Sequence, residues 1–446
     1  MRIKSLQLRN IGVFENETIE FEACPTKGKA EIHIFTGKNG SGKSTILKAL
    51  VAAFEAGGLN ELNETICNNN TNSITKYFRS RYEKNGATIC YDLRGETYCT
   101  TYIACSNGKD HLHIISKDHK DIEGYRSAME LNMLPTEPMM LFYSAYFAYS
   151  GYRLLSFSQD AIEHTARNAN PLYQSLEFDK KPNPAFTIEN WIKTSLLRRA
   201  YAMTEGLTNK EENYTDNISK MQNAISEIVG YEVTFKLDKS LREPVMWYNG
   251  VEHDLEVLPD GLKSIISWLG DLCMRLEELN WENDTPIFDR NILLFLDEIE
   301  IHLHIEWQRK ILPIVQKLFP NAQIFLSTHS PFVVNSIDDA WVYSLAVENG
   351  NGKLSKKELS QDGNSVSAIL RTIFGIPQKF GLAVENDLDK FYAYRDKALD
   401  LSITPQERSK MGQLAKKLAK QGAELENIVA TELRQIERQT LRIEKA

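Results

Sequence analysis

The chain opens on alternation. Residues 2–9 and 17–22 place apolar and polar side chains in turn, the period of a half-buried strand. Residues 87–93, 97–105 and 111–116 repeat the pattern with many Thr, Tyr and Ile, which predicts a meander. Other runs are mainly apolar, and Ile292 to Leu296 is fully so. Ala30 to Thr36, Leu141 to Phe147 and Ile292 to Leu296 read as buried strands, the last of the kind found inside a parallel sheet. Tyr231 to Lys236, Val245 to Tyr248 and Gln323 to Leu326 read as further strands. Helical spacing marks Lys43 to about Ala56, Gly261 to Glu278 and 304–319, so strand, helix and strand succeed one another as in an α/β core. Between about Ser156 and Val229 the pattern turns helical, and the Asn-rich residues 59–73 read as a loop. After about Pro377 the chain is helical and charge-mixed, and Thr404-Pro405-Gln406-Glu407 reads as a capping box with proline at the first helical position.

Composition narrows the classes. The 446 residues, 42% hydrophobic and 25% charged, suit a globular protein with two or three cores. No apolar run reaches the roughly 18 residues of a spanning helix, and the N-terminus lacks the apolar core of a signal peptide. A soluble, cytoplasmic protein with no membrane partner is expected. Cys24, Cys67, Cys90, Cys99, Cys105 and Cys273 form no C-x-x-C pair, so reduced thiols are expected and neither a zinc ribbon nor a disulfide frame. A net charge of −8 argues against a nucleic-acid coat. Lys76, Arg79 and Arg81, with Arg198 and Arg199, are the small basic groups that a DNA surface would use.

Chemistry enters at Gly37-Lys38-Asn39-Gly40-Ser41-Gly42-Lys43-Ser44, a complete G-x-x-x-x-G-K-[ST] pattern between a predicted strand and a predicted helix. Glycines let the backbone curl so that several N–H groups face one anion, and the helix start adds its positive end. Lys43 is expected to reach the β- and γ-phosphates of ATP, and Ser44 to ligate Mg²⁺. Asp297 and Glu298 close the apolar strand, where an α/β sheet faces its ligand crevice. Asp297 is expected in the Mg²⁺ shell and Glu298 as the general base. His329, in Ser-Thr-His-Ser-Pro after the next strand, is placed to hydrogen-bond the γ-phosphate.

Together with the start LQLRNIGVFEN, DEIEIHLHIEWQRKILP (Asp297 to Pro313) and FPNAQIFLSTHSP (Phe319 to Pro331), the phosphate loop resembles the ABC-type ATPases of the RecF, SMC and OLD group. The likeness includes bacterial AAA-domain ATPases such as those of the Septu and PARIS anti-phage systems. It covers residues 1–60 and 250–375 well and the rest loosely. It implies an α/β fold: an ABC-type P-loop ATPase head with a mixed β-sheet lobe, split between 1–150 and 231–375, a helical insertion at 151–230 and a C-terminal helical extension at 376–446. It also implies ATP held between two heads, by the phosphate loop through Thr45 of one and the signature stretch of the other. That stretch is Leu258-Pro259-Asp260-Gly261-Leu262-Lys263, with Asp260, Gly261 and Lys263 toward the nucleotide. Relatives usually carry serine where Pro259 stands, and Ser264 has the wrong spacing to replace it, so slow hydrolysis is expected. The arginine that relatives often place after the first strand is absent around Ile11-Gly12-Val13, while Arg153 resembles one that follows a later strand.

Two functions follow as expectations. One is a nucleotide-gated homodimer, or higher homo-oligomer, that controls a protein effector (a nuclease or toxin) in trans. The other is a DNA-repair ATPase that clamps DNA. His302 and His304 fall in the stretch that crosses the dimer interface in relatives; without a third ligand, neither they nor His111 and His113 are expected to hold a metal.

Overall fold

The computed structural model describes residues 2–55, 86–93, 96–104, 111–117, 145–150, 188–205, 208–240, 243–278, 285–361 and 363–443. In chain order its elements are β1 (Arg2–Ile11), β2 (Phe14–Glu20), β3 (Glu31–Gly37), α1 (Lys43–Glu55), β4 (Gly86–Leu93), β5 (Glu96–Ala104), β6 (His111–Lys117) and β7 (Ala145–Ser150). There follow α2 (Ile188–Glu205), α3 (Thr208–Val229), β8 (Val233–Leu237), β9 (Pro244–Tyr248), β10 (Val251–Asp254), α4 (Asp260–Glu278), β11 (Ile292–Asp297), α5 (Ile305–Leu318), β12 (Gln323–Ser327) and α6 (Pro331–Val334). The last are β13 (Trp341–Glu348), β14 (Asn351–Leu359), α7 (Val366–Thr372), α8 (Leu382–Leu399), α9 (Pro405–Ala419) and α10 (Ala423–Ile443). The chain divides into two compact units, Met1–Ile369 and Leu370–Ala446.

In the first unit, among the described residues, two large sheets enclose one helix. The antiparallel sheet runs β2-β1-β4-β5-β6 and the mixed sheet β14-β13-β3-β12-β11-β7. β1 buries Ile3, Leu6, Leu8 and Ile11 in one core; alternation holds from Leu6 to Leu8, and a register shift between Ile3 and Ser5 interrupts it. Helix α1 lies against strands of both sheets, with Ile46, Leu47, Ala49 and Leu50 fully buried. Phe295 and Phe325 join the same core from the mixed sheet. A helix packed from two sides is apolar over most of its surface, as Ile46, Leu47, Ala49 and Leu50 make this one, with Lys48 half-buried among them.

Inside the mixed sheet, β3, β12, β11 and β7 are mutually parallel neighbours. Register sets Leu296 beside Leu326 and Ser327 beside Phe35, so these strands end level with one another. At roughly 4.8 Å per strand step, the ends of β3 and β11 lie about 10 Å apart with β12 between them. Helices α2 and α3 pack on α4, and α3 also on α5, all within this unit. No described helix is long and apolar enough to cross a membrane.

One expectation is corrected. Cys90 and Cys99, read as reduced thiols, form a disulfide. They stand directly opposite each other in the β4–β5 register. The two strands fold back as a hairpin, and that brings together cysteines with no suggestive spacing in sequence. Cys24 and Cys273 are free.

In the second unit, α8, α9 and α10 share a core of Leu388, Phe391, Met411, Leu418, Leu425 and Val429. The capping box forms as read: Thr404 Oγ1 accepts from the Glu407 N–H, and the Glu407 carboxylate accepts from the Thr404 N–H.

Candidate nucleotide site

The site is built at the ends of three adjacent parallel strands. β3 delivers the phosphate loop, in which Gly37, Gly40 and Gly42 all adopt positive φ. Glycine is required at Gly42, whose φ is 101°: a Cβ there would lie 2.4 Å from the Phe14 ring. The aromatic ring at the start of β2 thus backs the loop. Lys38, Asn39 and Gly40 are exposed at the tip, while Ser41 and Thr45 are buried. The Ser41 hydroxyl is buried without a hydrogen-bond partner.

Lys43 begins α1, is only 6% exposed, and folds back over the loop. Its Nζ donates to the carbonyls of Gly37 at 3.0 Å and Lys38 at 3.3 Å. Burial lowers its pKa, against the pull of the nearby Glu298, Asp297 and Glu300 carboxylates. One ammonium therefore shares a neighbourhood with three acids.

β11 delivers the acids. The Asp297 carboxylate accepts from Ser44 Oγ at 3.1 Å and also from Ser327 Oγ, so a single oxygen ties the ends of β11 and β12 to the start of α1. Hydroxyl and carboxylate oxygens held together are the hard donors that Mg²⁺ prefers, so Ser44 and Asp297 fit that ion. Glu298 leaves the strand with φ at 54°, in the left-handed region, and its N–H donates to Ser327 Oγ at 3.0 Å. Backbone held in that region by a specific bond marks a built position rather than a loose turn.

β12 delivers the histidine. Thr328 is buried and continues the ladder by donating its N–H to Phe35 O at 3.1 Å; His329, next along, is exposed. Burial lowers the His329 pKa, the Lys43 cation lowers it further, and Asp297 opposes both. The imidazole thus stands near both the cation and the first acid. Lys43, Ser44, Asp297, Glu298 and His329 come together at one place.

Sequence reasoning missed Glu300. Its carboxylate accepts from Thr328 Oγ1 at 2.8 Å and from the His329 N–H at 2.5 Å. Burial raises its pKa, which these two donors counter and the Glu298 charge reinforces. The D-E-x-E spacing was the only available signal.

The signature stretch leads into α4. Pro259 and Asp260 are exposed, Lys263 is half-buried, and Gly261 is buried at the start of α4. A Cβ on Gly261 would lie 2.5 Å from His302 O and 3.0 Å from the Trp307 ring. Glycine is therefore needed for packing inside the chain, against the turn that follows Glu298. His302 holds φ at 64°, and His304 caps α5, its Nδ1 accepting from the Glu306 N–H. Among the described residues no three His, Cys, Asp or Glu side chains gather as a metal site. Arg198 is exposed and Arg199 half-buried on α2. Lys76, Arg79, Arg81 and Arg153, and the side chains of His111 and His113, lie outside the described residues.

A glycine phosphate loop, an acid pair and a histidine on neighbouring parallel strands define a P-loop nucleotide-hydrolysing class. The family model described as "AAA domain" matches residues 5–234, and one described as "AAA domain, putative AbiEii toxin, Type IV TA system" matches residues 146–335. The chain belongs to the AAA-domain family and is an ABC-type ATPase of the RecF, SMC and OLD group. It is 24% identical to the retron Vc95 probable ATPase of Vibrio cholerae serotype O1 biovar El Tor, over 74% of this chain and 72% of that protein. It is 21% identical to the Septu protein PtuA of Bacillus thuringiensis, over 84% of this chain and 85% of that protein. Of solved structures it is similar to the SMC head domain from Thermotoga maritima, with a TM-score of 0.41 and 12% identity over 81% of this chain and all of that one.

Proposed function

We propose that this chain binds ATP with Mg²⁺ at the strand-end crevice, hydrolyses it, and uses the nucleotide state of a homodimer to control a protein effector in anti-phage defence. The observation that carries the reading is the meeting of Lys43, Ser44, Asp297, Glu298 and His329 at three adjacent strand ends. The relatives support the defence role, since Septu and retrons are anti-phage systems.

Each residue has a part. Lys43 and the loop N–H groups hold the β- and γ-phosphates. Ser44 and Asp297 hold Mg²⁺, which when bound neutralises charge on the phosphate oxygens. Glu298 takes the proton of the attacking water. His329 donates a hydrogen bond to the terminal phosphate. The oxygens of Glu300 are engaged by Thr328 and His329, so of the two glutamates Glu298 is the one free to act as base.

The second copy enters through the signature face, with Asp260 and Lys263 turned to the partner's nucleotide and Gly261 packed beneath them, letting α4 start close to His302. Val257, 68% exposed, precedes that stretch, and Ile305, 48% exposed, follows His302, whose carbonyl touches Gly261. Exposed apolar residues flanking this contact suit burial against another copy. Sedimentation of Glu298→Gln tests the reading: ATP should double the mass, and ADP should not. A chain that holds ATP yet sediments as a monomer contradicts the shared site. A steep, ATP-dependent affinity for DNA across a salt series would replace effector control with DNA clamping.

Pro259 gives a second test. It stands exposed before α4, its carbonyl accepting from the N–H groups of Leu262 and Lys263. Pro259→Ser supplies a hydroxyl at the family position and should raise steady-state turnover. An unchanged or lower rate means that this hydroxyl has no part in the reaction.

A further inference from the structure

Glu300 is a half-buried carboxylate beside the site that the reaction does not use. Both its oxygens are committed, and both to one loop: Oε2 to Thr328 Oγ1 and Oε1 to the His329 backbone. Thr328 Oγ1 accepts in turn from the Ser330 N–H at 3.0 Å. Ser330 Oγ donates to Gln308 Oε1 at 2.6 Å, and Gln308 Nε2 donates to Leu303 O at 2.9 Å. Residues 328–330 are thus stitched at two points to the segment 300–308 that follows the acid pair. The imidazole of His329 projects from a backbone that cannot shift while these bonds hold.

We propose that Glu300 is a positioning residue: by clamping Thr328 and the His329 N–H it presents the His329 imidazole to the terminal phosphate. The inference rests on the reading of His329 given above. A carboxylate gripping two donors fixes a loop more firmly than neutral acceptors do, because bonds to a charged acceptor are roughly twice as strong. Misplacing a reacting or sensing group by about 1 Å can cost roughly 10²-fold in rate. Glu300 then affects the step that involves the terminal phosphate; its hydrogen bonds go to residues 328 and 329, while those of Lys43 go to the loop carbonyls of Gly37 and Lys38.

The test uses the full chain with four changes: Glu300→Ala, Glu300→Gln, Thr328→Val and His329→Ala, with ATP turnover and ADP affinity measured for each. Glu300→Ala should lower kcat by roughly 10-fold to 10²-fold with ADP affinity held within about twofold. Glu300→Gln, which keeps an acceptor for the His329 N–H, should recover most of the rate, and Thr328→Val should fall between. In the His329→Ala background none of the three should lower the rate further, since residues acting through one group are not additive. A further loss there, or an ADP affinity that falls along with kcat, overturns the proposal. A slow His329→Ala beside a fast Glu300→Ala overturns it alone. A fast His329→Ala overturns the reading of His329 and the proposal with it. Should Glu300→Ala fail to fold, Glu300→Gln and Thr328→Val decide by the same comparison.

Discussion

Replacing Lys43 with alanine is expected to remove nucleotide binding. Lys43 is the buried cation of the loop, and Asp297, Glu298 and Glu300 all act on it. Without it a triphosphate meets the Asp297 and Glu298 carboxylates with no ammonium between. Each charge-assisted hydrogen bond lost costs roughly 1.5–3 kcal/mol, and two of them amount to a loss of roughly 10²-fold or more in affinity. The repulsion left behind adds to that. Titration calorimetry with ATP checks the expectation, with circular dichroism to confirm folding, since Lys43 also ties the carbonyls of Gly37 and Lys38. A folded Lys43→Ala chain with wild-type affinity removes the loop from the site.

Glu298→Gln is expected to separate binding from hydrolysis. The change is isosteric, and the bond from the backbone N–H of residue 298 to Ser327 Oγ survives it. The left-handed backbone at this position is therefore retained, and so is the ligand pair of Ser44 and Asp297. Only the proton acceptor is lost, and removing a general base typically costs roughly 10²–10⁴-fold. Phosphate release should fall by that factor while ATP affinity stays within about twofold of wild type. Normal turnover in this variant would show that another group activates the water.

The parts of the site that were legible in the sequence are local. A strand, a glycine turn and a helix occupy consecutive residues, so Gly37 to Ser44 reads directly. The apolar run Ile292 to Leu296 announces a buried parallel strand, and the acids that end it therefore stand at the sheet's crevice. His329 follows the same logic after β12. β13, Trp341–Glu348, is mainly apolar and local and was not read, whereas most of what was missed depends on register or on contacts between distant segments. β14 is a largely polar edge strand and β10 is four residues long, so neither carries a strong period-two signal. The Cys90–Cys99 bridge follows from strand pairing. Glu300 looked like one more acid in an acidic turn until β12 set Thr328 and His329 against it. Gly261 suggested close approach to a ligand; within the chain, a Cβ there would meet the carbonyl of His302.

The most direct measurement follows bound ATP and released phosphate in the same samples, under single-turnover conditions, for the wild type, Lys43→Ala and Glu298→Gln. The wild type should bind the nucleotide and cleave it, Glu298→Gln should bind it and leave it whole, and Lys43→Ala should retain none. Phosphate released at the wild-type rate by Lys43→Ala would place hydrolysis outside the crevice where β3, β12 and β11 end, and the same rate from Glu298→Gln would leave the crevice in place with another group as its base.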